Sequence, residues 1–181
     1  MNRQRRLILV GLALAAVATF TLVQLGSMLG GPGASASPDG LIGRGQPAPA
    51  IVGTTLDGTA FDIASLRGRP VIVNFWGPGC IPCRDEFPLF LEKLSTHADA
   101  GLAIVGVLMY DGAAPARAFV AQYGATWPTV DDANAAIRTA YKVAARPQSY
   151  FIDRDGIVRA IQIGQLTEAE FERQFALISG S

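Results

Sequence analysis

The sequence predicts an α/β domain built on a mixed sheet, preceded by a separate apolar leader. Three observations carry this. Strand-like and helix-like stretches alternate twice between residues 71 and 123, which is the order of a parallel β-α-β arrangement. A hairpin signal and a capped helix then close the chain. The apolar excess, by contrast, is concentrated at the front, ahead of a Gly/Pro/Ala/Ser-rich stretch.

In chain order, residues 1–29 read as a signal anchor forming a transmembrane helix. Arg3, Arg5 and Arg6 precede an almost purely apolar run from Leu7 to Val23 that continues with few interruptions to Leu29. Twenty-three residues at about 1.5 Å each span roughly 34 Å, enough for a bilayer core of about 30 Å. The leading arginines place the N-terminus in the cytoplasm and the rest of the chain across the membrane. Ala34-Ser35-Ala36 offers a small-residue site at which a removable leader would be cut instead. Residues 30–48 read as a flexible spacer, and 49–181 as the working domain.

Ile51-Val52 and Phe61-Asp62-Ile63 flank the turn pair Asp57-Gly58, predicting a small hairpin. Val71–Trp76 is a β-branched and aromatic run suited to a buried strand. A helix from Cys80 to about Thr96 follows, with Pro88 as a kink point. Leu102–Leu108 predicts a second buried strand, and Pro115–Tyr123 a helix with proline in its first turn. Asn134–Tyr141 reads as helical. Ser149–Ile152 and Ile157–Ile163 flank Asp153-Arg154-Asp155-Gly156, a hairpin turn. Thr167 with Glu170 forms a capping box for a last helix whose apolar positions include Phe171, Phe175 and Leu177.

Composition excludes several functions. The 181 residues hold 15 basic and 15 acidic side chains, so there is no surplus of cations for a nucleic-acid backbone. The balance conceals a split: three arginines and no acid precede residue 37, and 12 basic and 15 acidic groups follow it. Two Cys and one His cannot complete the usual four-ligand zinc sites.

The two cysteines sit three apart, in Cys80-Ile81-Pro82-Cys83, where a strand hands over to a helix. There the unpaired N–H groups and the helix dipole favour a thiolate at Cys80. The thiolate is the attacking species in disulfide exchange, so the placement points to redox chemistry. As a purely structural staple the pair is weak, because so short a loop yields about 2 kcal/mol against about 4.7 for a 100-residue one. A copper(I) chaperone using Cys80, Cys83 and His97 is the non-enzyme alternative. A thiol peroxidase is a second enzymatic one, although Val73 and Gly77 stand where its site requires Pro and Thr.

Val73-Asn74-Phe75-Trp76, Cys80 to Pro88, and Arg146-Pro147-Gln148-Ser149-Tyr150-Phe151-Ile152-Asp153 with Asp155-Gly156 resemble the TlpA/ResA-type thiol-disulfide oxidoreductases, a membrane-anchored, thioredoxin-like group. The likeness covers roughly residues 41–181. It implies a thioredoxin fold with an N-terminal β-hairpin extension and a central insertion. It further implies Cys80 as nucleophile, Cys83 as resolving cysteine, and Pro147 as a cis proline shaping the substrate surface. Asn74 stands where cytosolic thioredoxins carry a buried Asp. An amide cannot take up a proton, so the resemblance turns attention to Asp111 as a desolvated proton shuttle. Glu86 matches a family position and equally fits a solvated helix acid. Arg146 would lie near the site, favouring an anionic thiolate or partner. Gly79 departs from the pattern, since the family has an aromatic before the first cysteine.

The activity so implied is reduction of protein disulfides such as those of apocytochrome c, in an extracytoplasmic compartment. Electrons would come from a membrane thiol donor. The chain would act as a monomer, with no cofactor and no metal.

Overall fold

The computed structural model describes residues 42–180. The expected anchor, and most of the expected spacer, lie outside these. Among the described residues no helix is long and apolar enough to cross a membrane.

The hairpin forms from β1 (Val52–Thr54) and β2 (Ala60–Asp62), antiparallel, around Gly58 at φ +89°. Only a residue without Cβ enters that region freely, which is why Asp57-Gly58 turns the chain. Asp62 then accepts from the Ala64 N–H and starts a 3-10 turn, Ile63–Leu66.

The main sheet has five strands: β3 (Val71–Trp76), β4 (Ala103–Leu108), β5 (Thr129–Asp131), β6 (Gln148–Ile152) and β7 (Val158–Ile163). Their spatial order is β5-β4-β3-β6-β7. β3, β4 and β5 run parallel, whereas β6 and β7 are antiparallel to their neighbours. The central strand β3 is buried along its whole length. Its alternation separates two cores. Ile72 and Trp76 join Phe87, Phe90, Phe119, Phe151 and Phe171 on one side. Val71, Val73 and Phe75 join Ile51, Val105, Ile137, Tyr141 and Tyr150 on the other. Asn74 shares the parity of Ile72 and Trp76, so it faces the first of these.

Four helices complete the domain: α1 (Ile81–Thr96), α2 (Ala113–Tyr123), α3 (Ala136–Ala140) and α4 (Glu168–Ser179). The capping box of Thr167 and Glu170 forms as read from the sequence. Pro88 lies inside α1, where its missing N–H leaves one helical bond unmade.

Four expectations differ in detail. β5 carries no signal of its own in the sequence, because Thr129–Asp131 is too short to show a period; it forms by pairing alongside β4. The helix expected over Asn134–Tyr141 shortens to α3, since Asn134 caps the Ala136 N–H and Ala135 takes φ +63°. Leu177 is 53% exposed, and Ile178 takes the core position instead. Finally, residues 42–48 of the expected spacer pack on the domain. Gly45 and Ala48 donate to Val158 and Gly156 carbonyls, Val158 donates to Gln46, and Ile42 and Ala48 rest against the core. Backbone pairing beside β7, invisible to composition, holds them there.

Candidate redox active site

β3 ends at Trp76, and Gly77-Pro78-Gly79 turns the chain into α1, with Cys80 as the helix N-cap. The Cys80 N–H closes the turn on the Gly77 carbonyl at 3.0 Å. Cys80 and Cys83 are joined as a disulfide, S–S 2.02 Å, with Cα atoms 5.3 Å apart. Cys80 Sγ accepts from the Cys83 N–H at 3.3 Å. In the reduced protein, that donor and the helix N-terminus both favour a thiolate at Cys80. Both cysteines are buried, and Cys80 is the more open residue, 7% exposed against 1% for Cys83.

The Arg146–Pro147 peptide is cis. β6 begins at the next residue, Gln148, which pairs with Phe75 near the end of β3. The sheet thus delivers Pro147 to the edge where the cysteine turn starts. Arg146 Nη1 donates to the Met109 carbonyl at 2.7 Å and to Asp111 Oδ2 at 2.5 Å. Asp111 Oδ2 also accepts from the Gly79 N–H at 3.2 Å. The ion pair therefore lies against the turn, and two glycines make room for it. A Cβ at Gly77 would collide with Asp111 Oδ2 and Arg146 Nη1, and one at Gly79 would stand 3.0 Å from Asp111 Oδ1. The missing aromatic at 79 has a structural counterpart: Asp111 sits close against that position.

The desolvated carboxylate expected at Asp111 is found at Glu86. Asp111 is 23% exposed at its side chain and paired with a guanidinium, whereas Glu86, also read as a solvated helix acid, is only 1% exposed. Its Oε1 accepts from the Leu166 N–H at 2.7 Å, and its Oε2 from Asn74 Nδ2 at 3.4 Å. Asn74 Nδ2 also donates to Ser149 Oγ at 3.0 Å. These partners are neutral, so burial dominates and pushes the Glu86 pKa up from 4.5 to about 7. A sequence signal existed: position 86 is one helical turn from Cys83, on the face that packs inward with Phe87 and Phe90.

His97 is the C-cap of α1, whereas Cys80 is its N-cap. The sixteen residues of α1 between them set them about 25 Å apart, too far for a shared metal ion. His97 instead packs on Phe175 and pairs with Glu172. Among the described residues no three His, Cys, Asp or Glu side chains group to hold a metal ion. Of the two positions a peroxidase site requires, Val73 is buried in the core and Gly77 is needed by the Arg146–Asp111 pair.

A cysteine pair at the first turn of α1, beside a cis proline on an α/β sheet of this order, defines a thioredoxin-like thiol-disulfide oxidoreductase. The chain belongs to the AhpC/TSA family, which its residues 44–161 match. It is 34% identical over 128 residues to the thiol-disulfide oxidoreductase ResA of Bacillus anthracis, covering 71% of this chain and 74% of that one. To the ResA of Bacillus subtilis it is 30% identical over 137 residues, 76% of each chain. Among solved structures it is similar to a thiol:disulfide interchange protein of the thioredoxin family from Chlorobium tepidum. That likeness has a TM-score of 0.69 at 29% identity, covering 76% of this chain and 99% of that one.

Proposed function

We propose that this oxidoreductase is a membrane-tethered, extracytoplasmic reductase of protein disulfides, with the cysteines of apocytochrome c among its substrates. The observation that carries the chemistry is the Cys83 N–H directed at Cys80 Sγ from the first turn of α1. The apolar run behind Arg3, Arg5 and Arg6 supports the tether, and the resemblance to the TlpA/ResA-type group implies the reducing direction.

In the reduced enzyme the Cys80 thiolate attacks one sulfur of the substrate disulfide. The substrate S–S bond breaks, a Cys80–substrate disulfide forms, and one substrate thiolate leaves. Cys83 then loses its proton and attacks Cys80 Sγ. The mixed disulfide breaks, the second substrate thiolate leaves, and the enzyme holds the Cys80–Cys83 bond. Two electrons have passed to the substrate, and a membrane thiol donor returns them.

Glu86 is the acceptor for the Cys83 proton, because it is buried, one helical turn away, and pushed up to about 7. Asp111, first expected in that role, holds the Gly79 N–H and Arg146. Pro147 forms the wall opposite the cysteine turn against which the substrate segment lies. The enzyme works as a monomer, without metal or cofactor.

The test is covalent trapping. Cys83→Ala should accumulate a partner linked through Cys80 that thiol reductant releases. A Cys80→Ala variant that trapped partners as well would sink the assignment of the nucleophile.

A further inference from the structure

Tyr110 has properties the reaction scheme leaves unused. It is 69% exposed, directly after Met109 at 1%. Its φ of +68° lies in the left-handed region, where a bulky residue is an outlier and Asn or Gly is at ease. The ring lies against two guanidiniums, with Arg138 at 4.7 Å and Arg146 at 5.6 Å from its centroid. The next residue, Asp111, is bonded to the Gly79 N–H, so Tyr110 is tied to the residue that precedes Cys80. A strained, exposed aromatic next to the residue that pins the cysteine turn is the kind of outlier that points to function.

The surroundings indicate what it would touch. Ile81, between the cysteines, is 72% exposed, and Ile163 is 59% exposed. Ile163 pairs with Gln148, and Gln148 with Phe75, so β7 finishes at the same end of the sheet as β3, on the Phe75 face. Tyr110 follows β4 at that end, since Leu108 pairs with Trp76. The guanidiniums are compensated, Arg146 by Asp111 at 2.5 Å and Arg138 by Asp132 at 3.8 Å. The exposed side chains that remain at this rim, the end of the sheet, are apolar rather than net cationic.

We infer that Tyr110 is a specificity-determining residue that receives an apolar side chain flanking the target sulfur of the substrate polypeptide. It supplies, from the residue pair after β4, the aromatic contact that Gly79 does not. The inference rests on the reading of Cys80 as the sulfur that meets substrate. A mixed disulfide spans about 2 Å between sulfurs, so the residues beside the substrate cysteine must fall on this rim.

The test uses the reduced full-length chain and three peptides, identical except for Leu, Ser or Glu flanking a cysteine held in a disulfide with nitrothiobenzoate. Hydroxyethyl disulfide, which has no flanks, is the reference. The wild type should react roughly five- to tenfold faster with the Leu peptide than with the Ser peptide, the scale of one aromatic contact. Tyr110→Asn, which suits the left-handed backbone, should lose that preference while its rate with hydroxyethyl disulfide is unchanged; Tyr110→Phe should keep it. The inference is overturned by a wild type without preference, by preference for the Glu peptide, by preference surviving in Tyr110→Asn, or by equal slowing with every disulfide. Failure of the underlying reading looks different: Cys80→Ser would match the wild type on hydroxyethyl disulfide.

Discussion

Asn74 on β3 donates to Glu86 on α1 across 3.4 Å, so the buried carboxyl beside the redox pair is met by a neutral amide rather than a cation. An amide gives a weaker counterweight to burial than a guanidinium would. Glu86 therefore stays largely protonated up to about pH 7.

Stability should follow that titration. A carboxyl whose folded pKa exceeds its unfolded one binds protons preferentially in the native state. Its contribution is complete below about pH 4.5 and is lost as pH rises through about 7. Urea melts should show wild type losing a few kcal/mol over that window relative to Glu86→Gln, which has no such titration. Parallel pH curves for the two proteins would contradict the assignment.

Catalysis should show the same group. Resolution of the mixed disulfide should quicken as pH rises through about 7, when Glu86 becomes able to accept the Cys83 proton. Glu86→Gln should slow resolution by about 10²-fold, at the lower end for a lost general base. Attack by Cys80 on the first disulfide should be spared. Stopped-flow measurement of the two steps separates them.

The Arg146–Asp111 pair requires a glycine at 77. Gly77→Ala places a methyl against both side chains and 3.0 Å from the Met109 carbonyl. Forced apart, the pair should cost about 1–3 kcal/mol of stability, read as a lower urea midpoint. Asp111→Ala, which frees the Gly79 N–H and Arg146, should destabilise by a similar amount without flattening the pH profile of resolution. A flattened profile would return the proton-accepting role to Asp111.

Away from the site, Thr167→Ala removes one half of the capping box on α4. The expected loss is about 1 kcal/mol with the exchange rate of Cys80 unchanged. Thermal melts and thiol kinetics on the same preparation check both.

Much of this protein is legible in its sequence because local rules decide it. The run Val71–Trp76 carries its burial in its composition, and Thr167 with Glu170 places a helix start through bonds only three residues apart. The Cys80–Cys83 spacing, at a strand-to-helix handover, identifies the chemistry through the same local logic. Other features depend on partners far along the chain. β5 exists because β4 offers it an edge, and residues 42–48 are ordered by β7. Asp111 and Glu86 look equivalent as letters. One meets Arg146, 35 residues on, and stays partly in water; the other is buried between Asn74 and the Leu166 N–H, 80 residues on. The sequence determined which residues could exchange disulfides. The tertiary structure decided which carboxyl is desolvated, because burial is set by packing between distant segments.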